Sequence, residues 1–134
     1  MAEKAKNYFY ALGRRKSSTA RVRLINGKGL ITINNKPSTE YLADSKALLH
    51  DLAKPFIALE IENKYDVSAV VSGGGHASQV DAIRLGISKA LAVMNEDLKS
   101  TLRRADMLGR DPREKERKKF GLKGARKQRQ FTKR

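Results

Sequence analysis

Several side chains near the start of the chain can bind phosphate. The segment combines three cations with three hydroxyls: Arg14, Arg15, Lys16, Ser17, Ser18 and Thr19. The cations can displace counterions from a polyanion, and the hydroxyls can donate hydrogen bonds to successive phosphates. Arg21 and Arg23 extend the positive charge along the strand that follows. An ordinary polar loop is the alternative, but the segment continues a basic strand face, so we predict a folded nucleic-acid-binding patch.

Three consecutive glycines, Gly73, Gly74 and Gly75, form a second candidate phosphate site. They follow a predicted strand and precede a predicted helix, where free backbone N–H groups and the helix dipole can hold an anion. A simple tight turn explains the same glycines equally well. Both interpretations stay open: contact with a nucleic-acid backbone, and a strand-to-helix turn.

The glycine run also approaches two nucleotide-binding motifs. Gly73, Gly75 and Ser78 occupy the three positions of the dinucleotide fingerprint, and Glu96 or Asp97 follows about 20 residues later. That motif requires a second parallel strand after the helix, whereas the sequence beyond the helix is charged and aperiodic. The phosphate-loop motif fails too, because no Lys-Ser or Lys-Thr pair follows at its spacing. We therefore expect no nucleotide cofactor.

No group of side chains has the composition of a catalytic or metal site. The sequence has no cysteine, and its two histidines, His50 and His76, lack carboxylates at ligand spacing. No Ser or Cys nucleophile lies in a recognisable setting. We expect no enzyme activity, metal, cofactor or small-molecule substrate. The sequence shows no cysteine, no apolar leader and no apolar segment long enough for a membrane helix. We therefore expect a cytoplasmic protein that does not enter a membrane.

The positive charge is concentrated at the C-terminal end. The chain has 29 basic and 14 acidic residues, a net charge of +15 over 134 residues, and residues 103–134 supply +10 of that charge. From residue 117 onward there is no acidic side chain. The basic residues of this segment are Arg117, Lys118, Lys119, Lys123, Arg126, Lys127, Arg129, Lys133 and Arg134. A solvated charged segment normally mixes signs, so we predict an arm that binds nucleic acid.

The arm has too few apolar residues to form a core of its own. Two glycines interrupt any helix at Gly121 and Gly124, so we expect the arm to be disordered without a partner. Its 18 residues span about 60 Å when fully extended. Phe120 and Phe131 can stack on unpaired bases or pack on a neighbouring surface, and the sequence does not decide between them. We divide the chain into a flexible start (1–7), a globular domain (8–104) and an extended basic tail (105–134).

Alternating apolar and polar residues predict several strands in the globular domain. The clearest are 20–24, with both arginines on one face, and 65–72. Residues 30–33 follow the Asn26-Gly27 turn signal and predict a second strand, which forms a hairpin with strand 20–24. Residues 34–37 end this second strand. Residues 8–12 predict a weaker edge strand, and 56–62 a less secure one.

Two helices are predicted from apolar residues at steps of three and four. A short helix at 45–54 begins at Asp44 or Ser45, is closed by Pro55 and turns Leu48, Leu49 and Leu52 inward. A long helix begins at Ala77 and continues to Leu102. Arg84 and Lys89 lie off its apolar stripe, where they can face solvent, nucleic acid or an acidic partner. The elements together predict an α+β domain.

Three stretches in this order resemble one family, the ninth small-subunit ribosomal protein of bacteria and organelles. They are Gly13-Arg14-Arg15-Lys16-Ser17-Ser18 with Ala20-Arg21-Val22, then Val71-Ser72-Gly73-Gly74-Gly75, then Glu116-Arg117-Lys118-Lys119 through Gln130-Phe131-Thr132-Lys133-Arg134. The helix segment Asp81-Ala82-Ile83-Arg84-Leu85-Gly86-Ile87 and Leu102-Arg103-Arg104-Ala105 are similar to the family as well. The resemblance covers the chain from about Tyr8 to its last residue.

The resemblance implies helices packed on one mixed sheet, docked on rRNA in the head of the small subunit beside other ribosomal proteins. It also implies that the tail passes through rRNA to the P site, where Lys133 and Arg134 approach bound tRNA, with Thr132 beside them. Thr132 stands where the family usually has Ser, which keeps the hydroxyl. Residues 36–64 match poorly, so their neighbours are not implied.

Two other hypotheses compete with this one. A free nucleoid or other DNA-binding protein shares the charge and the tail, and it predicts salt-sensitive binding to any duplex. A small enzyme that uses the glycine loop on a phosphorylated ligand is the second alternative. The resemblance favours the ribosomal hypothesis over both.

Overall fold

The computed structural model describes residues 8–109 and Phe120. Five strands form one mixed sheet: β1 Phe9–Arg15, β2 Ser18–Asn26, β3 Ile31–Ile33, β4 Lys36–Pro37 and β5 Tyr65–Ser72. Their order across the sheet is β1-β2-β5-β3-β4. Neighbouring strands are antiparallel except β3 and β5, which are parallel. The helices are α1 Ser38–Tyr41, α2 Lys46–Ala58, α3 His76–Met94 and α4 Asp97–Arg104.

The period-two pattern places one face of the sheet in the core. Along β2 and β5 the buried side chains alternate with more exposed ones, as the sequence predicts. The long helix α3 packs on β1, β2 and β5, while α2 and α4 pack on α3. Buried side chains of the sheet and the helices form one cluster, which includes Val22, Val67 and Leu91. The predicted α+β class, with helices on a mixed sheet, is confirmed.

Two glycines allow α3 to approach the sheet closely. A Cβ atom on Gly13 of β1 would overlap the carbonyl oxygen of Ala82 in α3. A Cβ atom on Gly86 of α3 would lie 2.5 Å from Cγ2 of Val22 in β2. Since both positions lack a side chain, the backbones meet where larger residues would separate them.

The predicted hairpin between strands 20–24 and 30–33 is wrong. Strand β5 lies between β2 and β3, pairing antiparallel with one and parallel with the other. The turn signal at Asn26-Gly27 instead begins a loop that crosses the end of β5. Oδ1 of Asp66 accepts hydrogen bonds from the backbone N–H groups of Lys28, Gly29 and Leu30, at 2.9, 3.0 and 2.9 Å. A distant carboxylate therefore shapes this loop.

The tight hairpin occurs at residues 34–35, where the sequence predicted only the end of a strand. Asn34 and Asn35 have φ angles of 50° and 66°, a left-handed conformation that asparagine tolerates. They connect β3 to the short strand β4, and Ile33 pairs with Lys36. The predicted edge strand near residues 8–12 is confirmed as β1.

The first predicted helix continues past its expected end. Pro55 lies inside α2, which ends at Ala58, and residues 59–62 form no strand, so the predicted strand at 56–62 is wrong. Proline removes one helical hydrogen bond and crowds the preceding turn. Pro55 and the adjacent Phe56 are both buried, and this packing outweighs the local penalty. Leu52 is buried, and Leu48 and Leu49 pack against the core as predicted.

The second predicted helix is interrupted. Residue Asn95 is extended, with φ −149° and ψ 113°, and it ends α3. Its Oδ1 accepts a hydrogen bond from the N–H of Asp97, where α4 begins, at 3.0 Å. A short polar side chain that binds nearby backbone favours such a break. The change in direction still brings Leu102 into the core, where it is fully buried.

The contact between Gly86 and Val22 makes a testable prediction about stability. Gly86→Ala would ordinarily stabilise a helix interior by about 1 kcal/mol. Here we expect it to reduce the free energy of unfolding by about 1–3 kcal/mol, because the new methyl group overlaps Val22. Urea denaturation followed by circular dichroism measures the change. In a Val22→Ala background the penalty should shrink, and an equal penalty in both backgrounds would contradict the packing account.

Candidate nucleic-acid interface

The cationic segment and the glycine run, about 55 residues apart in the chain, meet in the structure. The segment forms the end of β1, a two-residue turn and the start of β2, because Arg15 pairs with Ser18 across Lys16 and Ser17. The glycines connect β5 to α3. Since β5 pairs with β2, Thr19 lies opposite Ser72 and the hairpin turn lies beside the glycine loop. We call this junction, formed by residues 16–17 and 73–75, the hairpin–loop corner.

Hydrogen bonds join the two halves of the hairpin–loop corner. Oγ of Ser18 donates to the carbonyl oxygen of Gly73 at 2.9 Å, and the same hydroxyl lies 2.8 Å from Oγ of Ser78. Oγ of Ser78 donates to the carbonyl oxygen of Gly75 at 3.0 Å. The Ser18 and Ser78 side chains are buried, so their hydroxyl groups act inside the protein. We assign Ser18 to holding the corner together, although sequence analysis made it a phosphate ligand.

Two further side chains hold the glycine loop from the other side. Nε2 of Gln79 donates to the carbonyl oxygen of Gly73 at 3.0 Å, and the Tyr41 hydroxyl donates to Oε1 of Gln79 at 2.7 Å. The Tyr41 ring also contacts the ring of His76, with centroids 5.4 Å apart. Tyr41, Ser78 and Gln79 were not predicted as positioning residues. The sequence placed Ser78 at the third position of the dinucleotide fingerprint and, with Gln79, in the first turn of a helix that follows glycines, but it gave no signal for Tyr41.

The glycine loop requires glycine at its first two positions. Gly73 and Gly74 have φ angles of +77° and +65°, which residues other than glycine rarely adopt. A Cβ atom on Gly73 would overlap the carbonyl oxygen of Ser17, and one on Gly74 would overlap Oγ of Ser18. At Gly75 a Cβ atom would meet no described atom within 4 Å. The loop is therefore closed toward the hairpin and open toward solvent.

The open side of the glycine loop lies at the start of α3. Gly75 is the N-cap residue of this 19-residue helix, and no side chain caps it. The ring of His76 contacts Tyr41, and residues 73–77 are exposed. The first N–H groups of a helix carry partial positive charge and attract anions. The predicted strand-to-helix turn is confirmed, and its geometry suits an anion.

A row of arginines lies on the sheet face opposite the helices. Arg14, Arg21 and Arg23 are exposed, and they alternate with buried residues along β1 and β2. The pairing register places Arg14 opposite Thr19, and Arg21 and Arg23 opposite Val70 and Ser68 of β5. Within residues 8–109, helix packing is confined to the other face. We call this surface, with its three arginines, the outer face.

The outer face also carries aromatic and hydroxyl groups. The Arg23 guanidinium lies 5.0 Å from the ring centroid of Tyr8, a cation–π contact that helps orient the charge. The hydroxyls of Thr19 and Ser72 continue the face toward the hairpin–loop corner. Asp66 is the acidic residue of β5, and its Oδ1 accepts three backbone N–H groups, which offset its negative charge.

Arg15 differs from its neighbours because it points to the helix side of the sheet. Its Nε lies 3.5 Å from Oδ2 of Asp81, and Nη2 of Arg84 lies 3.2 Å from Oδ1 of the same carboxylate. These groups line a small polar cavity of about 130 Å³ together with Arg14, Asp106 and Gly109. Arg15 therefore links β1 to α3, and Arg84 takes the salt-bridge role that sequence analysis left open.

The remaining predicted binding residues belong to the tail. All lie outside the described residues: Arg117, Lys118, Lys119, Lys123, Arg126, Lys127, Arg129, Thr132, Lys133 and Arg134. The predicted disorder of the arm and the stacking of Phe131 lie outside them too. Phe120 is described and is fully exposed. Of the predicted tail (105–134), residues 105–109 are also described, and Met107 and Leu108 among them pack against the core.

The described part of the chain contains no candidate metal site and no helix that could span a membrane. His50 is exposed on α2, and no group of three or more His, Cys, Asp or Glu side chains there could hold a metal ion. None of the described helices is long and apolar enough to cross a membrane. The interface is thus built from arginines, hydroxyls and backbone N–H groups.

Comparison with known proteins identifies the family. A model of the family described as ribosomal protein S9/S16 matches residues 13–134. A small ribosomal subunit protein uS9 of Malacoplasma penetrans is 48% identical over 126 residues, which cover 94% of this chain and 96% of the relative. The protein of the same name from Prochlorococcus marinus is 47% identical over 131 residues, covering 98% and 96%.

The matched region contains both parts of the hairpin–loop corner, the outer-face arginines of β2 and the whole basic tail. These relatives are ribosomal proteins, so the hypothesis of a small enzyme with a nucleotide loop is wrong. The hypothesis of a free DNA-binding protein has no support among them. This chain belongs to the ribosomal protein S9 family.

Proposed function

We propose that this small-subunit ribosomal protein binds rRNA with its outer face and hairpin–loop corner and extends its tail to P-site tRNA. The observation that carries the proposal is that the cationic hairpin and the glycine loop meet where β2 begins and β5 ends, next to the arginines of the outer face. The chain acts in the ribosome, and its bacterial relatives favour a bacterial ribosome. Its role is structural: it holds RNA, and it catalyses no reaction.

The outer face supports the proposal through its charge and its exposure. Arg14, Arg21 and Arg23 are all exposed and project from adjacent strands on the same side. Arginine presents several N–H donors in a planar fork, which suits two phosphate oxygens at once. Since neighbouring strands are about 4.8 Å apart and alternate residues about 6.6–7 Å apart, the arginines can reach successive phosphates. A helix-free face can lie flat on RNA.

The hairpin–loop corner supplies a different kind of contact. Lys16 is exposed at the turn with a φ angle of 52°, and Ser17 beside it is exposed too. The glycine loop adds backbone N–H groups at the start of α3. A phosphate at this corner would receive a cation from one side and N–H donors from the other. Such contacts recognise the RNA backbone and its shape without reading base identity.

The tail supports the tRNA part of the proposal through its composition. Its last 18 residues carry nine positive and no negative charges, and the family match continues to residue 134. Residues 117–129 carry most of this charge and are suited to line a path through rRNA. Lys133 and Arg134 are the last two residues of the tail, and the family resemblance implies that they approach tRNA. Thr132 adds a hydroxyl donor.

The first prediction concerns the outer face. We expect Arg21→Ala/Arg23→Ala to weaken binding to small-subunit rRNA roughly 5- to 50-fold at moderate salt, because two cation–phosphate contacts are lost. The slope of log K against log salt concentration should become shallower by about 2. Filter binding or fluorescence anisotropy over a salt series measures both quantities.

Lys46→Ala/Lys54→Ala provides the matched control, because it removes the same charge from α2, on the side of the molecule away from the outer face. We expect this variant to change affinity less than twofold. Equal losses in the two variants would mean that total charge, and not the outer face, determines binding. That outcome would contradict the proposed site.

The second prediction concerns the end of the tail. Removing residues 132–134 should leave incorporation into small subunits intact but weaken P-site tRNA binding by about 1–3 kcal/mol, since a pair of charge-assisted contacts is lost. Tight tRNA binding at high magnesium masks such a loss, so the measurement is the tRNA dissociation constant of purified subunits at low magnesium.

A matched variant, Lys118→Ala/Lys119→Ala, removes two charges of the tail far from its end. We expect it to affect rRNA binding and subunit assembly more than tRNA affinity. If the truncated chain and the intact chain retain tRNA equally at low magnesium, the tRNA proposal fails while the rRNA proposal stands.

A further inference from the structure

A groove of about 540 Å³ lies along the outer edge of β1, away from the hairpin–loop corner. One wall is β1 itself, and the other is formed by the C-terminal half of α3 and by α4. Tyr10 and Leu12 line the first wall, and Lys89, Val93, Lys99 and Arg103 line the second. None of these residues takes part in the proposed RNA interface.

The edge of β1 along this groove is unpaired among the described residues. β1 is the terminal strand of the sheet, and β2 pairs with its other side. The two-residue turn closes on the pair Arg15 and Ser18, which in such hairpins is a hydrogen-bonded pair. Alternation along an antiparallel ladder then directs the N–H and C=O groups of Tyr10 and Leu12 away from β2. The groove therefore contains a backbone edge with both donors and acceptors.

Exposed apolar side chains flank this edge. Eight large apolar side chains of the described residues are exposed, and two of them, Tyr10 and Val93, line the groove. Val93 is 66% exposed and Tyr10 is 49% exposed, although both belong to regular elements. An open strand edge flanked by apolar side chains is a surface that proteins normally cover.

The charges around the groove all have one sign. Lys89, Lys99 and Arg103 are the charged residues that line it, and its lining includes no acidic side chain. An occupant must therefore complement positive charge at the rim and an apolar floor. RNA supplies negative charge, but its phosphates only accept hydrogen bonds, and its 2′-hydroxyl and base donors do not repeat at the spacing of a strand edge. A polypeptide strand supplies both donors and acceptors.

We propose that this groove binds an extended segment of another ribosomal protein, which adds to β1 as a sixth strand. Its backbone pairs with the free edge at Tyr10 and Leu12, in the manner of other strand-addition complexes. Its apolar side chains cover Tyr10 and Val93, and its Asp or Glu side chains face the cations of α3 and α4. The inference rests on the proposed function only in placing the chain in the small subunit.

Site-directed crosslinking in assembled small subunits tests this directly. The chain has no cysteine, so Val93→Cys provides a single attachment point for a short photoactivatable crosslinker. We expect Val93→Cys to crosslink to a protein, at a segment that mass spectrometry shows to contain Asp or Glu. Val70→Cys is the matched control, because Val70 is 56% exposed on the outer face. That position should crosslink to rRNA.

A proline substitution tests whether the partner segment adds as a strand. Leu12→Pro removes an N–H group that faces away from β2, a position where an edge strand tolerates proline. We expect it to reduce the protein crosslink from Val93→Cys at least fivefold, whereas Leu12→Ala retains most of it. If Leu12→Pro subunits do not assemble, Lys99→Glu/Arg103→Glu replaces it and should reduce the same crosslink by charge repulsion.

Several outcomes would overturn the inference. They are a crosslink from Val93→Cys to RNA, a crosslink to residues 1–7 or 110–119 of the same chain, or a protein crosslink that neither Leu12→Pro nor the charge reversal reduces. Loss of the RNA crosslink from Val70→Cys would contradict the outer-face proposal instead. The two proposals can therefore fail independently.

Discussion

The functional surface depends on the hydrogen bonds that the Ser18 hydroxyl makes with Gly73 in the glycine loop and with Ser78 in α3. The Ser18 hydroxyl is buried between the carbonyl oxygen of Gly73 and the hydroxyl of Ser78, so it ties the start of β2 to the junction of β5 and α3. Buried polar groups that are fully hydrogen-bonded specify one arrangement, because breaking one leaves its partner unsatisfied. Lys16 and the first N–H groups of α3 are held at one corner by this arrangement.

The close approach of α3 to the sheet has a second consequence. Because Gly13 and Gly86 place α3 directly on β1 and β2, the helices occupy one face and leave the other to Arg14, Arg21 and Arg23. Arg15 is the exception along this hairpin, since its position in the strand turns it toward Asp81 on α3. Because side chains alternate between the two faces of a strand, Arg15 has a structural role on the helix side, whereas Arg14 beside it is available to RNA on the outer face. The remaining edge of β1 faces the apolar groove.

Sequence patterns predicted those elements whose local signal agrees with their packing. Strands β2 and β5 and most of α3 follow from apolar periodicity, because each buries one side against a single core. The predicted β2–β3 hairpin was wrong because a distant strand, β5, pairs between them and Asp66 shapes the loop. Helix α2 continues past Pro55 because Pro55 and Phe56 are buried in the core. The second predicted helix is divided at Asn95, whose side chain accepts a hydrogen bond from the backbone of Asp97. These competing contacts lie outside the periodic pattern.

The candidate site shows the same division. Residue types identified the cationic segment and the glycine run as separate phosphate candidates, since both types bind anions wherever they occur. Their meeting depends on the pairing of β2 with β5, which no local pattern encodes. The difference between Ser17, which is exposed, and Ser18, which is buried, depends on strand register in the same way. The groove beside β1 was not predicted, because its walls come from residues about 80 apart in the chain.

A cryo-electron microscopy structure of the small subunit containing this chain tests the central claim most directly. The decisive quantity is the distance from rRNA phosphate oxygens to Nζ of Lys16 and to the backbone nitrogens of residues 75–77. The account predicts that one rRNA segment approaches both within about 4 Å and continues along the three outer-face arginines. If rRNA instead lay on α2 and left the hairpin–loop corner in solvent, the account would be contradicted.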